Sequence, residues 1–184
     1  YFNLDSQRFV QRLLAIVFGI IALGVLALIG LSFIKLDSRP TVQSKVISFP
    51  IDEVWKSVYQ KENYLKSKKE IVRYTIYDSI RPQWVEYYSP NDSVENRTLS
   101  YEKNHLLRYL ISNKKYEQTH EITIRLDSLA PQKTAIKVTE KSAYINNWSN
   151  IYFRLFHKDA VAQFEILKIE NTLQYIQRQK NNPA

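Results

Sequence analysis

The stretch Val46-Ile-Ser-Phe-Pro-Ile-Asp-Glu-Val-Trp-Lys-Ser-Val58 joins a predicted strand to a predicted helix. Residues 42–49 are rich in β-branched and apolar side chains, which favours a strand. Pro50 is followed by two acids, and this combination is typical of the first turn of a helix. One face of that helix would carry the apolar residues Ile51, Val54, Trp55 and Val58. A strand followed by an amphipathic helix is therefore predicted.

Strand-like segments fill most of the chain beyond this helix. After a lysine-rich stretch with Lys61, Lys66, Lys68 and Lys69, β-branched and aromatic residues dominate six segments: 71–77, 83–88, 97–103, 107–112, 116–126 and 134–144. Proline, asparagine or serine marks the breaks, which predicts a meander of antiparallel strands. Residues 158–180 return to helical spacing, with one stripe of Ala162, Ile166, Ile169, Leu173 and Ile176 and another of Phe164 and Leu167. A long helix is therefore predicted to close the chain.

In this order the elements resemble the START-like domains of the SRPBCC superfamily. The stretch 46–58 is similar to the first strand of these domains and its proline turn into a helix. Residues 134–140 resemble their last strand, and residues 164–173 resemble their closing helix. The resemblance covers about residues 41–178. It implies an α+β helix-grip fold, in which a curved antiparallel sheet packs on a long C-terminal helix.

The resemblance also implies where a ligand would bind. Some members of the superfamily bind lipids, sterols or polyketides in an apolar cavity between the sheet and the C-terminal helix. Few members are enzymes with a shared catalytic motif, so the resemblance supplies no catalytic residue. We therefore expect this chain not to be an enzyme.

An apolar segment precedes the START-like region. Residues 13–34 contain no charged side chain, and Ser32 is their only polar one. A helix of this length is roughly 33 Å long, enough to cross a hydrocarbon core of about 30 Å. A cleaved signal sequence is the alternative, but it would have a shorter apolar core and a small-residue cleavage site after it. We expect an uncleaved, single-pass integral membrane anchor in contact with membrane lipids.

The predicted organisation follows from these segments. Residues 1–12 flank the span, 13–34 form the transmembrane helix, 35–41 form a linker, 42–180 form the START-like domain and 181–184 form a tail. Two basic residues lie on either side of the span, so the Lys/Arg bias leaves open which side of the membrane the domain faces.

Composition excludes several kinds of site. All three glycines (Gly19, Gly24 and Gly30) lie in the apolar segment, which leaves none for a P-loop or a dinucleotide-binding turn. The absence of cysteine excludes thiolate metal sites and thiol nucleophiles. With three histidines in the chain, we expect no metal site and no cofactor. The net charge is +8, but the basic residues are spread along the chain and form no dense run. We therefore expect lipid headgroups rather than nucleic acid as the acidic partner.

One pair of polar residues is brought together by the predicted hairpin of the last two strands. If this hairpin turns near Ala130, Ile122 faces Val138 and His120 faces Glu140 on the inward side. A carboxylate beside an imidazole suits a general base or a ligand-orienting pair. The alternatives are an ion pair at the wet end of the sheet or a shifted register. The candidate cavity residues are His120, Glu140, Ile122, Val138, Phe164 and Leu167.

Two further surfaces suggest contacts with partners. A stripe of small residues on the predicted span consists of Ala15, Gly19, Ala22 and Gly30. Such a stripe lets a second transmembrane helix approach closely, although small residues are common in any span. Aromatic side chains at Tyr144, Trp148, Tyr152 and Phe153 lie where a loop is normally polar. This pattern predicts a docking or membrane-interface loop, or equally a cap that folds over the cavity.

Three functions are compatible with these features. The first is a non-catalytic accessory or structural subunit of a larger membrane complex, with other transmembrane subunits as partners. The second is a membrane-tethered domain that binds or transfers an apolar small molecule such as a lipid. The third is a cyclase- or hydrolase-like enzyme that uses His120 and Glu140. We expect the first, because a tethered domain with a small-residue stripe and no recognisable catalytic set favours a complex.

Overall fold

A computed structural model describes residues 4–32, 40–78, 80–116, 118–144, 151–152, 156 and 159–181. The chain divides into two compact units, residues 1–37 and residues 38–184. Helix α1 (Leu4–Ser32) belongs to the first unit. A sheet and the helices packed on it belong to the second.

Helix α1 is long and apolar enough to cross a membrane. Its segment Gln7–Gly30 has 24 residues and a mean hydropathy of 2.9, and a helix of that length spans about 36 Å. None of the side chains in its most apolar part is buried. Exposed apolar side chains along a whole helix suit a lipid surrounding, because in water they would oppose solubility.

An antiparallel sheet forms the body of the second unit. Within the described residues it has seven strands: β1 (Thr41–Ile47), β2 (Arg73–Asp78), β3 (Gln83–Ser89), β4 (Asp92–Glu102), β5 (Leu106–Asn113), β6 (Gln118–Ala130) and β7 (Lys133–Tyr144). Their spatial order is β1-β7-β6-β5-β4-β3-β2. The first strand thus lies beside the last, and the others follow as a meander. The predicted antiparallel meander is confirmed.

Three helices whose bounds lie within the described residues accompany the sheet. They are α2 (Ile51–Tyr59), α3 (Lys61–Ser67) and α4 (Ala160–Asn181). Helix α2 follows Pro50, whose extended backbone ends the strand, and the acids Asp52 and Glu53 in its first turn complement the positive end of the helix dipole. Helices α2 and α4 contact β7, and α3 packs on α4. This is the predicted α+β helix-grip fold, with the long C-terminal helix on a curved antiparallel sheet.

The core lies between the inner face of the sheet and the helices. Its largest fully buried side chains are Trp84, Tyr64, Tyr109, Leu107, Ile122, Ile124, Leu126, Ile136, Leu173, Val54, Val58 and Val138. Along β6 and β7 alternate residues are buried, as the period-two geometry of a strand requires. Aromatic residues are concentrated near β3 and β5.

Helix α3 and the start of β4 differ from the sequence-based prediction. The sequence predicts no helix in the lysine-rich stretch, but Lys61, Tyr64 and Leu65 are buried there at helical spacing. Strand β4 begins at Asp92 rather than at residue 97, because the turn after β3 needs only Pro90 and Asn91. Both errors come from polar residues that tertiary contacts place in regular structure.

Candidate functional site

Four ionisable side chains are buried together between the sheet and the helices. Lys61 begins α3, Glu86 lies on the inner face of β3, and Glu165 and Lys168 lie on α4. Each is at most 6% exposed. We call these four residues the buried charge cluster. Burying a charge costs free energy unless it is paired or hydrogen-bonded, so each member requires a physical account.

Glu86 is held by hydrogen bonds to both carboxylate oxygens. Trp84 Nε1 donates to Oε1 at 2.7 Å, and Asn96 Nδ2 lies 3.4 Å from the same oxygen. Tyr88 donates its hydroxyl to Oε2 at 2.7 Å, and the Tyr64 hydroxyl lies 3.4 Å from Oε2. Trp84, Glu86 and Tyr88 share one face because they alternate along β3. Both side-chain oxygens of the buried Glu86 therefore have hydrogen-bond partners.

Glu165 and Lys168 form an ion pair on successive turns of α4. Lys168 Nζ lies 3.5 Å from Glu165 Oε1, and its ammonium lies 4.1 Å from the centroid of the Tyr64 ring. Tyr109 donates a short hydrogen bond to Glu165 Oε2. Burial lowers the pKa of Lys168, but the carboxylates of Glu165 and Glu86 outweigh burial and hold that pKa above its ordinary value. Lys168 is therefore a cation.

Lys61 is the member of the cluster without a polar contact. Its Nζ lies 4.8 Å from the Trp84 ring centroid and 5.0 Å from the Tyr109 ring centroid. Among the described residues it makes no hydrogen bond or ion pair. Burial, followed by the neighbouring Lys168 ammonium, lowers the pKa of Lys61 to about 7, although Glu165 and Glu86 act in the opposite direction. At neutral pH a large fraction of this amine is uncharged.

The predicted His120–Glu140 pair is in contact, but the predicted register is wrong. His120 lies opposite Ser142, and Ile122 lies opposite Glu140. The shift is two residues, because the hairpin turns at Pro131 and Gln132 rather than at Ala130. An even shift keeps every side chain on its face, so the pair still meets diagonally across the strands.

The contacts of this pair form a small buried network. His120 Nδ1 lies 3.0 Å from Glu140 Oε1 and 3.1 Å from Ser142 Oγ. Ser142 donates a short hydrogen bond to the same carboxylate oxygen, and the Thr41 hydroxyl donates to Oε2 at 3.2 Å. Burial raises the pKa of Glu140, but these hydrogen bonds outweigh burial and lower it below the ordinary value. Glu140 is therefore a carboxylate at neutral pH.

The two polar groups share the inner face of the sheet. Tyr109 of β5 lies opposite Ile122 of β6, and Ile122 lies opposite Glu140 of β7. Neighbouring strands are about 4.8 Å apart, so the backbones at Tyr109 and Glu140 are separated by about 10 Å. Ile122 forms an apolar bridge between the buried charge cluster and the His120–Glu140 pair.

The other predicted cavity residues have mixed outcomes. Ile122 and Val138 are fully buried in the core. Phe164 and Leu167 are 44% and 52% exposed, so their assignment to a cavity is wrong. The buried stripe of α4 contains Ala162, Glu165, Ile166, Lys168, Ile169, Thr172 and Leu173, and the two apolar residues lie outside it. Phe164 instead contacts Lys68, whose ammonium lies 5.0 Å from the centroid of the Phe164 ring.

The predicted partner surfaces are only partly covered by the described residues. Ala15, Gly19, Ala22 and Gly30 all lie within α1. Of the aromatic loop, Trp148 and Phe153 lie outside the described residues, and Tyr144 ends β7. Tyr152 is exposed, and its ring centroid lies 5.4 Å from that of Phe156. The docking role of this loop stays a prediction.

The buried charge cluster is missing from the sequence-based candidates. Two patterns in the sequence could have indicated members of this cluster. Trp84, Glu86 and Tyr88 alternate along a predicted strand, so a carboxylate shares a face with two aromatic residues. Glu165 lies three positions after Ala162 on the predicted core stripe of the closing helix. Nothing in the sequence indicates that these segments meet. No group of three or more His, Asp or Glu residues in the described part of the chain could hold a metal ion.

Comparison with known proteins identifies the fold. No protein-family model matches the chain, and no curated protein matches its sequence. The Zhui aromatase/cyclase from Streptomyces sp. R1128 superposes with a TM-score of 0.59 at 11% identity, over 77% of this chain and 94% of that one. The allergen structure Ara h 8.0201 gives a TM-score of 0.58 at 14% identity, with 76% and 98% covered.

Norcoclaurine synthase from Thalictrum flavum, solved in complex with dopamine and hydroxybenzaldehyde, gives a TM-score of 0.56 at 9% identity, with 74% of this chain and 87% of that chain covered. These neighbours have the helix-grip fold of the SRPBCC superfamily, and at such identities the likeness establishes the fold alone. The expectation that the chain is not an enzyme is wrong as an inference from the fold. The same fold carries an aromatase/cyclase and a synthase, so it is compatible with catalysis.

Proposed function

We propose that this chain is a membrane-anchored, small-molecule-binding protein whose ligand lies against the buried charge cluster. The observation that carries the proposal is the burial of Lys61, Glu86, Glu165 and Lys168 around two aromatic rings, between the sheet and the long helix. Apolar residues of similar volume would stabilise a core at least as well as buried charges do. Clustered ionisable groups with shifted pKa values are characteristic of functional sites.

The chemistry of the cluster indicates the class of ligand. Trp84, Tyr64 and Tyr109 offer flat apolar surfaces, while the two lysines and two carboxylates offer donors and acceptors. A purely aliphatic lipid would leave the Lys61 amine without a polar partner among the described residues, which costs free energy. We therefore propose a small amphipathic ligand with an apolar or aromatic body and at least one polar group. That a neighbour of the same fold was solved with dopamine and hydroxybenzaldehyde, both aromatic and polar, supports this class.

The His120–Glu140 pair extends the proposed site along the sheet. It is buried on the same face as Tyr109 and is separated from that residue by Ile122. A ligand with a second polar group about 10 Å from the first would reach both sets of partners. We propose that His120 and Glu140 orient such a ligand.

Helix α1 supplies the proposed anchor. Its length and mean hydropathy meet the requirement for spanning a bilayer, and we propose that residues 13–34 cross the membrane. Residues 35–41 would then link the span to a ligand-binding domain at residues 42–180. The short linker keeps the domain close to the lipid surface, where the net charge of +8 favours anionic headgroups.

The test is ligand retention and binding by the full chain in detergent micelles. Native mass spectrometry should show a small molecule bound to the purified protein, and calorimetric titration should show saturable binding of dopamine or hydroxybenzaldehyde as probes. Tyr109→Phe removes the hydroxyl that contacts Glu165 and should weaken binding roughly tenfold, since one hydrogen bond to a charged group contributes about 1.5 kcal/mol. Tyr101→Phe, in a half-exposed ring outside the cluster, should leave binding unchanged.

Two results would contradict the proposed function. A wild-type protein that carries no small molecule and gives no saturable heat with either probe does not have the proposed function. Equal binding by Tyr109→Phe and wild type would mean that the ligand binds away from the buried charge cluster.

A further inference from the structure

We propose that Lys61 is a nucleophile that forms a reversible imine with a carbonyl compound bound in the buried charge cluster. This inference rests on the proposed function, because it names the chemical class of the ligand. It starts from the observation that the Lys61 amine makes no hydrogen bond or ion pair with a described residue, although the residue is only 6% exposed.

The position of the amine is unusual for a lysine. A structural lysine normally extends its ammonium to water or to a carboxylate. Here the residue begins α3, and Nζ lies over two aromatic rings at once, 4.8 Å from the centroid of Trp84 and 5.0 Å from that of Tyr109. The two rings contact each other with their centroids 6.0 Å apart, so the amine caps both rings from one side. A ligand that reaches this side of the rings would bring its carbonyl carbon within reach of the amine.

The surroundings keep this amine partly unprotonated. Lys168 on α4 is a neighbouring cation, and Glu165, Glu86, Tyr64, Tyr88 and Tyr109 are the other described titratable groups that face the cluster. Burial and Lys168 together lower the pKa of Lys61 to about 7. An exposed lysine has a pKa of about 10.4, so at pH 7 only about one in 2,500 is neutral. Desolvation and an adjacent cation are the two ways in which proteins activate a lysine.

Imine formation needs only proton donors and an acceptor besides the amine and the carbonyl compound, and the buried charge cluster contains both. The Nζ lone pair attacks the carbonyl carbon, forming a C–N bond while the C=O π pair moves to oxygen and takes a proton. The resulting carbinolamine loses its hydroxyl with a second proton as water, which leaves C=N. The two amine hydrogens therefore leave with the carbonyl oxygen, and hydrolysis reverses the step. The Lys168 ammonium and the Tyr109 hydroxyl are proton donors, and the Glu165 carboxylate is the acceptor between them.

The test is reductive trapping at neutral pH on the full chain in detergent micelles. Propanal with cyanoborohydride converts an imine into a stable N-propyl lysine, which peptide mass spectrometry locates. We expect Lys61 to be modified at propanal concentrations at least tenfold below those that modify the exposed Lys66 and Lys69, which serve as controls within the same molecule. Lowering the pH from 7 to 5 should protect Lys61 by about fiftyfold, because the neutral fraction of an amine with a pKa of about 7 falls from about one half to about one hundredth.

Two variants separate the outcomes. Lys61→Arg keeps the positive charge but has no nucleophilic amine, and it should lose the trapped product at this position without gaining one at Lys168. Lys45→Arg, on an exposed lysine, should be trapped at Lys61 as the wild type is. Modification of Lys66 and Lys69 while Lys61 stays unmodified would overturn the inference. If Lys61 is not trapped but dopamine still binds in the calorimetric titration, the proposed function stands and the imine does not.

Discussion

At the scale of the residue, Lys61 is notable because its amine, a group that is normally solvated, is buried. Its aliphatic stem belongs in an apolar core, but its ammonium does not, and no carboxylate of the described chain pairs with it. The free-energy cost of this placement must be met by the rest of the fold. Proteins retain destabilising residues of this kind where the residue serves a function.

Lys61→Met should stabilise the second unit, residues 38–184, in a pH-dependent way. The folded pKa is lowered to about 7 from 10.5, so between these values the unfolded chain binds one proton more than the folded chain. The free energy of unfolding of the wild type therefore rises with pH from about 7 to 10.5 and carries the full penalty below pH 7. The methionine variant should be more stable by several kcal/mol at pH 6, since each unit of pKa corresponds to about 1.4 kcal/mol.

Urea denaturation of residues 38–184 at pH 6, 7.5 and 9 measures this effect. The advantage of the methionine variant should shrink steadily as the pH rises. Lys45→Met is the matched control, because Lys45 is exposed and paired with Glu170, and it should show no such trend. A stability difference between Lys61→Met and wild type that is constant from pH 6 to pH 9 would mean that Lys61 is charged throughout.

At the scale of the element, the tight connections of the sheet are made without glycine. The turn from β4 to β5 contains Asn104, whose φ of 60° lies in the left-handed region. Asparagine tolerates this region better than other residues with a Cβ, because its short polar side chain bonds locally. Here Asn104 Nδ2 donates to Asp52 Oδ1 at 2.6 Å and so joins the turn to the first turn of α2.

Asn104→Ala should destabilise the second unit, residues 38–184, by about 1 kcal/mol more than Asn104→Gly does. Both variants lose the hydrogen bond to Asp52, so their difference isolates the backbone strain that a Cβ causes at positive φ. The measurement is the midpoint and slope of urea unfolding for residues 38–184. Equal free energies of unfolding for the two variants would show that the turn relaxes to a negative φ without cost.

At the scale of the whole molecule, the chain combines an apolar helix with a folded helix-grip unit. Nothing lies within 4 Å of a Cβ placed at Gly19, Gly24 or Gly30. A Cβ at these positions therefore meets no described atom apart from the adjoining residues and backbone of α1 itself. The predicted association of Ala15, Gly19, Ala22 and Gly30 with another transmembrane helix, and with it the role as a subunit of a larger complex, stays a prediction that substitution in this helix can test.

Gly19→Leu combined with Ala22→Leu should weaken recovery of partner membrane proteins if the stripe is an interface. Leucine suits lipid as well as glycine does, so insertion of the helix should not change, whereas lost helix–helix packing should cost about 1 to 2 kcal/mol. The measurement is a pull-down from solubilised membranes. Val17→Leu combined with Gly24→Leu changes the opposite face and is the control. Equal recovery from both double variants would show that the stripe contacts only lipid.

The sequence by itself determined the fold class and the apolar span. The strand–proline–helix stretch of residues 46–58, the strand segments and the closing helix follow from local periodicity and turn chemistry, which need no long-range contact. The span follows from the length of one apolar run. The meeting of His120 and Glu140 was also predictable, because a hairpin preserves the face of each residue even when its register shifts by two.

Only the tertiary structure decided the buried charge cluster. Lys61, Glu86 and Glu165 come from a short helix, a strand and the closing helix, which are far apart in the sequence and meet only where α3 and α4 cover the sheet. A lysine or a glutamate normally indicates a solvated surface, so local patterns place these residues outside. Tertiary packing reversed that placement. The predicted stripe of Ala162, Ile166, Ile169 and Leu173 does face the core, and the docking of α4 decides that Glu165 and Lys168 beside this stripe are buried, whereas Phe164 and Leu167 stay exposed.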